Sequence, residues 1–220
     1  MRGRAPAGLP DGGGVKRLYE RHVLPRLIHA ACGTRPIDRQ RRKVVPAASG
    51  RVLEIGFGSG RNLPFYEPGQ VRELLALEPS AELIAMARPA ISTTGIPVTE
   101  LACAADAIPL SGQSVDTIVL TYTLCSIREP RLALSEMHRV LKPGGRLLFI
   151  EHGAAPDISV RRWQGRVNPL WRRLSGGCRL DLEPPRELAG SGFAIGSLET
   201  LYLPGWRPAT FNYWGWARRA

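Results

Sequence analysis

The stretch Arg51-Val-Leu-Glu-Ile-Gly-Phe-Gly-Ser-Gly-Arg61 constrains the fold more than any other part of the chain. Val52, Leu53 and Ile55 read as a short buried strand, and Gly56, Gly58 and Gly60 as a tight turn into a helix. Strand, glycine turn and helix in that order build a ligand crevice at the carboxyl end of a strand in open α/β sheets. Glycine at such a turn lets the backbone approach a ligand closely and adopt positive φ.

Around the loop, strand-like and helix-like segments alternate. Strands are predicted at Leu74 to Leu77, Gly95 to Leu101, Val115 to Thr121 and Arg146 to Glu151. Ser80 is placed to cap a helix with Leu83, Ile84 and Ala87 on one face, and Arg131 to Leu141 gives another, stopped by Lys142-Pro-Gly-Gly145. Ile118, Val119 and Leu120 are consecutive and apolar, which suits a sheet covered on both faces. The alternation predicts an α/β, doubly wound, mostly parallel Rossmann-like sheet. Phe193 to Leu203 and Phe211 to Ala217 read as a closing strand pair.

Three regions are expected: an arm over residues 1–14, rich in Gly, Pro and Arg and without a fixed fold, a helical lid over 15–48, and a main domain over 49–220. The lid reads as an amphipathic helix from Val15 to Ala31, interrupted at Pro25, then a basic helix ending near Pro46. Residues from about 152 to 190 break the βα rhythm with Trp163, Trp171 and a group of arginines, and are read as a cap inserted over the substrate site.

The net charge of +11 is uneven: residues 1–50 carry +8 and 152–182 carry +4, while 51–151 carry −2. A basic lid and cap suit an anionic partner such as a membrane surface. Trp beside Arg also stacks on bases, but no RNA-binding module is recognisable, so nucleic acid is not the expected partner. Cys32, Cys103, Cys125 and Cys178 are scattered, which argues against a metal site and against a disulfide framework and fits a reducing cytoplasm. The run from Val23 to Cys32 is broken by Pro25, Arg26 and His29 and is too short to span a bilayer. The chain is therefore expected in the cytoplasm, with peripheral membrane contact open to it; its oligomeric state is left open.

A dinucleotide fingerprint needs a small residue where Arg61 stands. The pattern is instead Glu54-x-Gly56-x-Gly58-x-Gly60, with a carboxylate where a pyrophosphate would be repelled and an ammonium welcomed. S-adenosylmethionine (SAM) has an α-ammonium and no phosphate. Glu78, at the end of the second strand, can accept both ribose hydroxyls, and Asp106-Ala107, past the third, can meet adenine through a carboxylate and a backbone N–H. An acid at the end of each of three successive strands favours SAM over NAD; an NAD-linked oxidoreductase would be stabilised thermally by NAD instead.

Together with these acids, Glu54-Ile-Gly-Phe-Gly-Ser-Gly60 and Arg139-Val-Leu-Lys-Pro-Gly-Gly145 resemble the class I SAM-dependent methyltransferases over residues 51–151. The resemblance implies a seven-stranded sheet with an antiparallel last strand. It places Glu54, Gly56, Gly58, Gly60, Asn62, Glu78, Pro79, Asp106, Ala107 and Thr121 around the cofactor. Asn62, Tyr66, Thr123-Leu-Cys-Ser126, Glu151-His152, Trp163-Gln164, Pro169-x-Trp171 and Gly176-Gly-Cys-x-Leu180 resemble a bacterial branch of small methyltransferases. That branch is related to the alkyl-thiol methyltransferases of animal membranes and, more distantly, to phosphatidylethanolamine N- and quinone C-methyltransferases. Two departures stand out: a Gly/Pro-rich arm in place of an anchoring helix, and Leu180-Asp-Leu182 where Leu-x-Arg is expected.

The expected reaction is methyl transfer from SAM to a small hydrophobic acceptor, a thiol, lipid amine or quinone-like group, by in-line displacement. That needs alignment first, and a base only if the acceptor arrives protonated. His152, after the fifth strand, is the candidate base or orienter; His22, His29 and His138 read as framework residues. Tyr19 resembles an aromatic that folds over SAM as a lid, and Trp163 and Trp171, eight residues apart, read as an acceptor wall or a core plug. Cys178 reads as a packing cysteine. The competing reading is a membrane- or nucleic-acid-binding protein that holds SAM without turnover.

Overall fold

The computed structural model describes Gly14 and residues 18–220, so the expected arm lies outside the described residues save for its last glycine. The seven strands are β1 (Gly50–Ile55), β2 (Val71–Leu77), β3 (Val98–Leu101), β4 (Val115–Thr121), β5 (Leu141–His152), β6 (Phe193–Tyr202) and β7 (Phe211–Arg219). They form one sheet in the order β3-β2-β1-β4-β5-β7-β6. The neighbouring pairs among β1 to β5 are parallel, and β7 runs antiparallel to both β5 and β6. Strand order reverses between β1 and β4, which opens a crevice at their carboxyl ends.

Helices cover both faces. In the lid a π-turn at Tyr19–Val23 leads into α1 (Leu24–Cys32), followed by α2 (Arg35–Val44). The expected interruption at Pro25 is this change of helix type; Pro25 sits in the first turn of α1, where its missing N–H leaves no bond unmade. The main domain adds α3 (Ala81–Ile91), α4 (Pro130–Val140), α5 (Ile158–Leu174), α6 (Pro184–Ala189) and a short α7 (Arg207–Thr210). Ser80 caps α3 by accepting from Leu83 N at 3.2 Å.

Alternate strand residues feed two apolar layers. Leu53, Ile55, Ile118, Leu120, Leu147 and Phe149 pack on one face with α4, and Val52, Leu74, Val119, Leu148, Ile150 and Trp214 pack on the other. β1, β4 and β5 contribute residues to both layers, so the strands that border the crevice are buried on both faces. Lys142-Pro-Gly-Gly145, expected as a stop between helix and strand, is instead a bulge within β5. Pairing with β4 jumps from Val115↔Leu141 to Thr117↔Arg146. At Gly145 a Cβ would lie 2.8 Å from Asp116 O, so only glycine lets the bulge fold back on β4.

Candidate active site

The glycine turn after β1 has Gly56, Gly58 and Gly60 at φ of 67°, 58° and 73°, values that disfavour other residues. A Cβ on Gly56 would lie 2.3 Å from the Thr123 side chain, so the turn presses against the loop after β4. A Cβ on Gly58 would meet nothing nearer than Gly56 O at 3.7 Å, leaving open space over bare backbone. Glu78 closes the loop: its Oε2 accepts from Gly58 N and its Oε1 from Ser80 N, both at 2.9 Å. Burial raises its pKa, partly offset by those two bonds. Pro79 and the Asp106-Ala107 pair are exposed at the ends of β2 and β3.

Glu54 takes a different place from the one expected. It lies under the turn at 1% exposure, with Oε1 accepting from Asn62 Nδ2 at 2.9 Å and Oε2 from Tyr66 OH at 2.6 Å. Burial pushes its pKa up to about 8, against the two hydrogen bonds that favour the anion. A side chain so enclosed holds the turn rather than meeting an ammonium directly. Asn62 Nδ2 also donates to Thr121 Oγ1 at 2.9 Å, which ties the turn to the end of β4.

The lid is pinned onto this turn by residues the sequence reading passed over. Arg41, 3% exposed, donates from Nε to Asn62 Oδ1 at 2.9 Å and from Nη1 to Cys32 O at 2.6 Å and Asp38 Oδ1 at 3.0 Å. Its guanidinium also lies 5.9 Å from the Tyr122 ring centroid. His29, expected as framework, pairs through Nδ1 with Ser59 Oγ at 2.7 Å, and Arg61 Nη2 donates to His29 O at 2.9 Å. The signal available in sequence was only a basic run, in which Arg41 does not differ from Arg39 or Arg42. The Tyr19 hydroxyl donates to Leu174 O at 2.6 Å, tying lid to cap.

A second group of side chains forms where β4 and β5 end. Tyr122, at a φ of 54°, is one of two non-glycine residues with positive φ among those described, and turns the chain toward Cys125. Glu151 is fully buried; its Oε1 accepts from Thr123 N at 2.8 Å and Leu124 N at 3.1 Å, while Oε2 has no partner. Burial lifts its carboxyl to about 7. His152 Nε2 lies 3.1 Å from Cys178 Sγ, and Trp171 Nε1 donates to the same sulfur at 3.3 Å. Donor atoms of Cys125, His152 and Cys178 all lie within 4.8 Å of one another. Hydrogen bonds from Cys125 and then His152 hold the Cys178 thiol well below its usual range, while that bond to Cys178, followed by burial, pushes Cys125 up. Burial alone would lower His152, but the Cys178 sulfur outweighs it and the imidazole is raised.

Two expectations are corrected here. Cys178 is not simple packing, and Cys125 and Cys178 meet in space. Trp163 is 55% exposed, with the Arg166 guanidinium 5.6 Å from its ring, so it lines neither a pocket nor the core. Eight residues exceed two helical turns by about 80°, so Trp163 and Trp171 occupy adjacent faces and only Trp171 turns inward, against Trp206 at 6.0 Å.

Bare backbone at Gly58, acids at the ends of β2 and β3, and a lid over the turn fit a nucleoside ligand without a phosphate. The fold and this crevice are those of a class I SAM-dependent methyltransferase. A family profile described as a methyltransferase domain matches residues 53–149. The chain is 30% identical to human thiol S-methyltransferase TMT1A over 76% of its own length and 71% of that protein. It is 31% identical to the Cereibacter sphaeroides phosphatidylethanolamine N-methyltransferase, over 64% of this chain and 68% of that one. With rat TMT1B the match, at 31% identity over 74% of this chain, spans 65% of the relative, just under two thirds. Among solved structures, a SAM-dependent methyltransferase from Thermotoga maritima superposes with a TM-score of 0.64 at 22% identity, covering 93% of this chain and 99% of that one. The [4+2]-cyclase SpnF superposes with 0.68 at 18% identity, covering 97% and 99%. The chain belongs to the SAM-dependent methyltransferase family, and family and fold imply SAM as its cofactor.

Proposed function

We propose that the protein methylates a small apolar thiol from SAM. The observation that carries this reading is the Cys125–His152–Cys178 group at the ends of β4 and β5, beside the glycine turn. When bound, SAM supplies an electrophilic methyl group whose departure leaves a neutral thioether. In this reading Gly56, Gly58, Gly60, Asn62, Glu78, Pro79, Asp106, Ala107 and Thr121 form its seat, with Glu54 bracing the turn from below. A thiol reacts as its anion, and hydrogen-bond donors aimed at sulfur favour that anion. Here Trp171 Nε1 and His152 Nε2 already converge on one sulfur. His152 is thus the proposed catalytic residue, holding the acceptor's sulfur or its proton, and the partly exposed Trp171 the proposed wall of the acceptor pocket. The names of relatives support a thiol, a lipid amine or a quinone-like acceptor; the sulfur-binding group favours the first. The fold alone does not decide that the reaction is methyl transfer, since SpnF shares it and is a cyclase.

The test is transfer of labelled methyl to a panel of alkyl thiols, phenols and lipid amines. Thiols are expected to lead, and His152→Ala to lose about a hundredfold in kcat with S-adenosylhomocysteine affinity unchanged. Full turnover in that variant would remove His152 from the chemistry.

A second element of the reading concerns location. Leu18, Val23 and Leu27 of the lid are exposed, as are Trp163, Leu170 and Leu174 of α5, beside the exposed Arg162, Arg166 and Arg173. An apolar face ringed by arginines suits an anionic membrane surface. No helix among the described residues is long and apolar enough to cross a membrane. Co-sedimentation with phosphatidylserine vesicles, weakened by salt and absent with neutral vesicles, is the expected result.

A further inference from the structure

We propose that Cys125, His152 and Cys178 bind a zinc ion through three protein donors, and that its open fourth position takes the acceptor's sulfur. The second half rests on the thiol reading above; the first does not.

The three donors come from the ends of three elements. Cys125 lies on the turn after β4, His152 is the last residue of β5, and Cys178 follows the left-handed pair Gly176-Gly177, at φ of 64° and 91°, which ends α5 and sends the chain back. In tetrahedral zinc sites the metal lies about 2.3 Å from sulfur and about 2.0 Å from nitrogen, which separates ligand atoms by roughly 3.5 to 3.8 Å. Donor atoms that all lie within 4.8 Å of one another need only small side-chain adjustments to reach that spacing. Two thiols and an imidazole are the ligand types zinc prefers over magnesium or calcium. Three protein ligands with an open position are the pattern of catalytic zinc, whereas structural sites close the fourth place with protein.

The surroundings hold the donors in place, as second-layer contacts of metal sites do. Arg179 N donates to Cys125 O at 3.0 Å, stitching the two cysteine loops directly together. Glu151 fixes the Cys125 turn through Thr123 N and Leu124 N, and its unpartnered Oε2 lies within Coulombic reach of His152 and Cys178. His152 is locked in register against Asn212 of β7. Trp171 Nε1 donates to Cys178 Sγ, the kind of bond that steadies a metal-bound thiolate. Cys125 is buried, while His152 and Cys178 are partly exposed, so the group is closed on the β4 side and open on the other. None of this is visible as a spaced motif, because each donor ends a different element.

When an acceptor enters, its S–H bond breaks, the proton passes to solvent, and a zinc–sulfur bond forms with no change of oxidation state. Sulfur is then held as a thiolate at neutral pH, with His152 acting on it through the metal rather than as a base.

The reduced full-length chain, stripped with chelator, is titrated with zinc against a chromophoric chelator and with cobalt(II) as a spectroscopic probe. One metal per chain is expected, with sulfur-to-cobalt charge-transfer bands and the intense d–d bands of tetrahedral cobalt. Cys125→Ser, Cys178→Ser and His152→Ala should each weaken binding by about a hundredfold or more, and Cys103→Ser should not. Hexanethiol should intensify the charge-transfer bands of the cobalt protein, and hexanol should leave them unchanged. Should a variant fail to fold, the wild type still decides: zinc should protect the partly exposed Cys178, but not Cys103, from alkylation read by mass spectrometry. Binding well below one metal per chain, binding indifferent to Cys178→Ser, or recovery of a Cys125–Cys178 disulfide in place of metal would overturn the site. Tight zinc with no response to hexanethiol would overturn the open-position half. Thiol methylation that survives complete removal of metal would sink the open-position half and leave the thiol reading standing.

Discussion

The two halves of the crevice are built differently. Under the glycine turn, Glu54, Asn62, Tyr66 and Thr121 of β4 form a polar lattice, and Glu78 holds Gly58 N and Ser80 N beside it. On the β4–β5 side, Glu151 keeps a buried oxygen without a partner, Tyr122 is held at positive φ, and two sulfurs and an imidazole share protons. A satisfied network fixes a shape, whereas an unsatisfied one stores a preference for something still to arrive. In the proposed reading the first half is scaffold for the cofactor and the second the seat of reactivity.

The comparison can be broken experimentally, beginning where the largest effect is expected. Glu54→Gln tests the lattice through pH. Because the folded pKa, about 8, exceeds the usual 4.5, the unfolded chain ionises first as pH rises. Wild-type stability from this group is thus fully present below about 4.5 and lost on the way to about 8, by on the order of 4 kcal/mol. Glutamine cannot ionise, so chemical denaturation across that range should show the variant gaining steadily on the wild type. A constant difference would mean that Glu54 ionises freely and the lattice is not closed.

Gly56→Ala tests whether the turn tolerates any side chain. Positive φ alone costs about 1–2 kcal/mol, and the contact with Thr123 adds to it. Calorimetry should find S-adenosylhomocysteine binding weakened by more than tenfold. Trp171→Phe removes one hydrogen bond to Cys178 and should cost about 1 kcal/mol in thermal or denaturant unfolding. Trp163→Ala, on the same helix but facing out, should stay within about 0.5 kcal/mol. Equal effects from the two tryptophans would return Trp163 to the pocket.

The same contrast explains what could be read in the sequence. Val52, Leu53 and Ile55, then Ile118 to Leu120, announced strands because burial on both faces leaves no polar position to confuse the pattern. The glycine turn and the Ser80 cap were legible because each is a local backbone requirement met within a few residues. Glu54 was found, but a spacing rule gives the position of a carboxylate and not the direction in which it points. Cys125, His152 and Cys178 could not be grouped at all, because their meeting depends on strand order and on the turn at Gly176-Gly177. Arg41 and His29 were hidden for a similar reason: helix faces toward solvent and toward a loop look alike in a basic, weakly apolar segment.

Arg41 joins the halves. One guanidinium holds Asn62 under the glycine turn, the end of α1 at Cys32, and lies against Tyr122, the residue that aims the β4 loop. A swing of α2 away from the crevice cannot then leave either half undisturbed, because it uncovers a buried charge and frees the turn and the β4 loop at once.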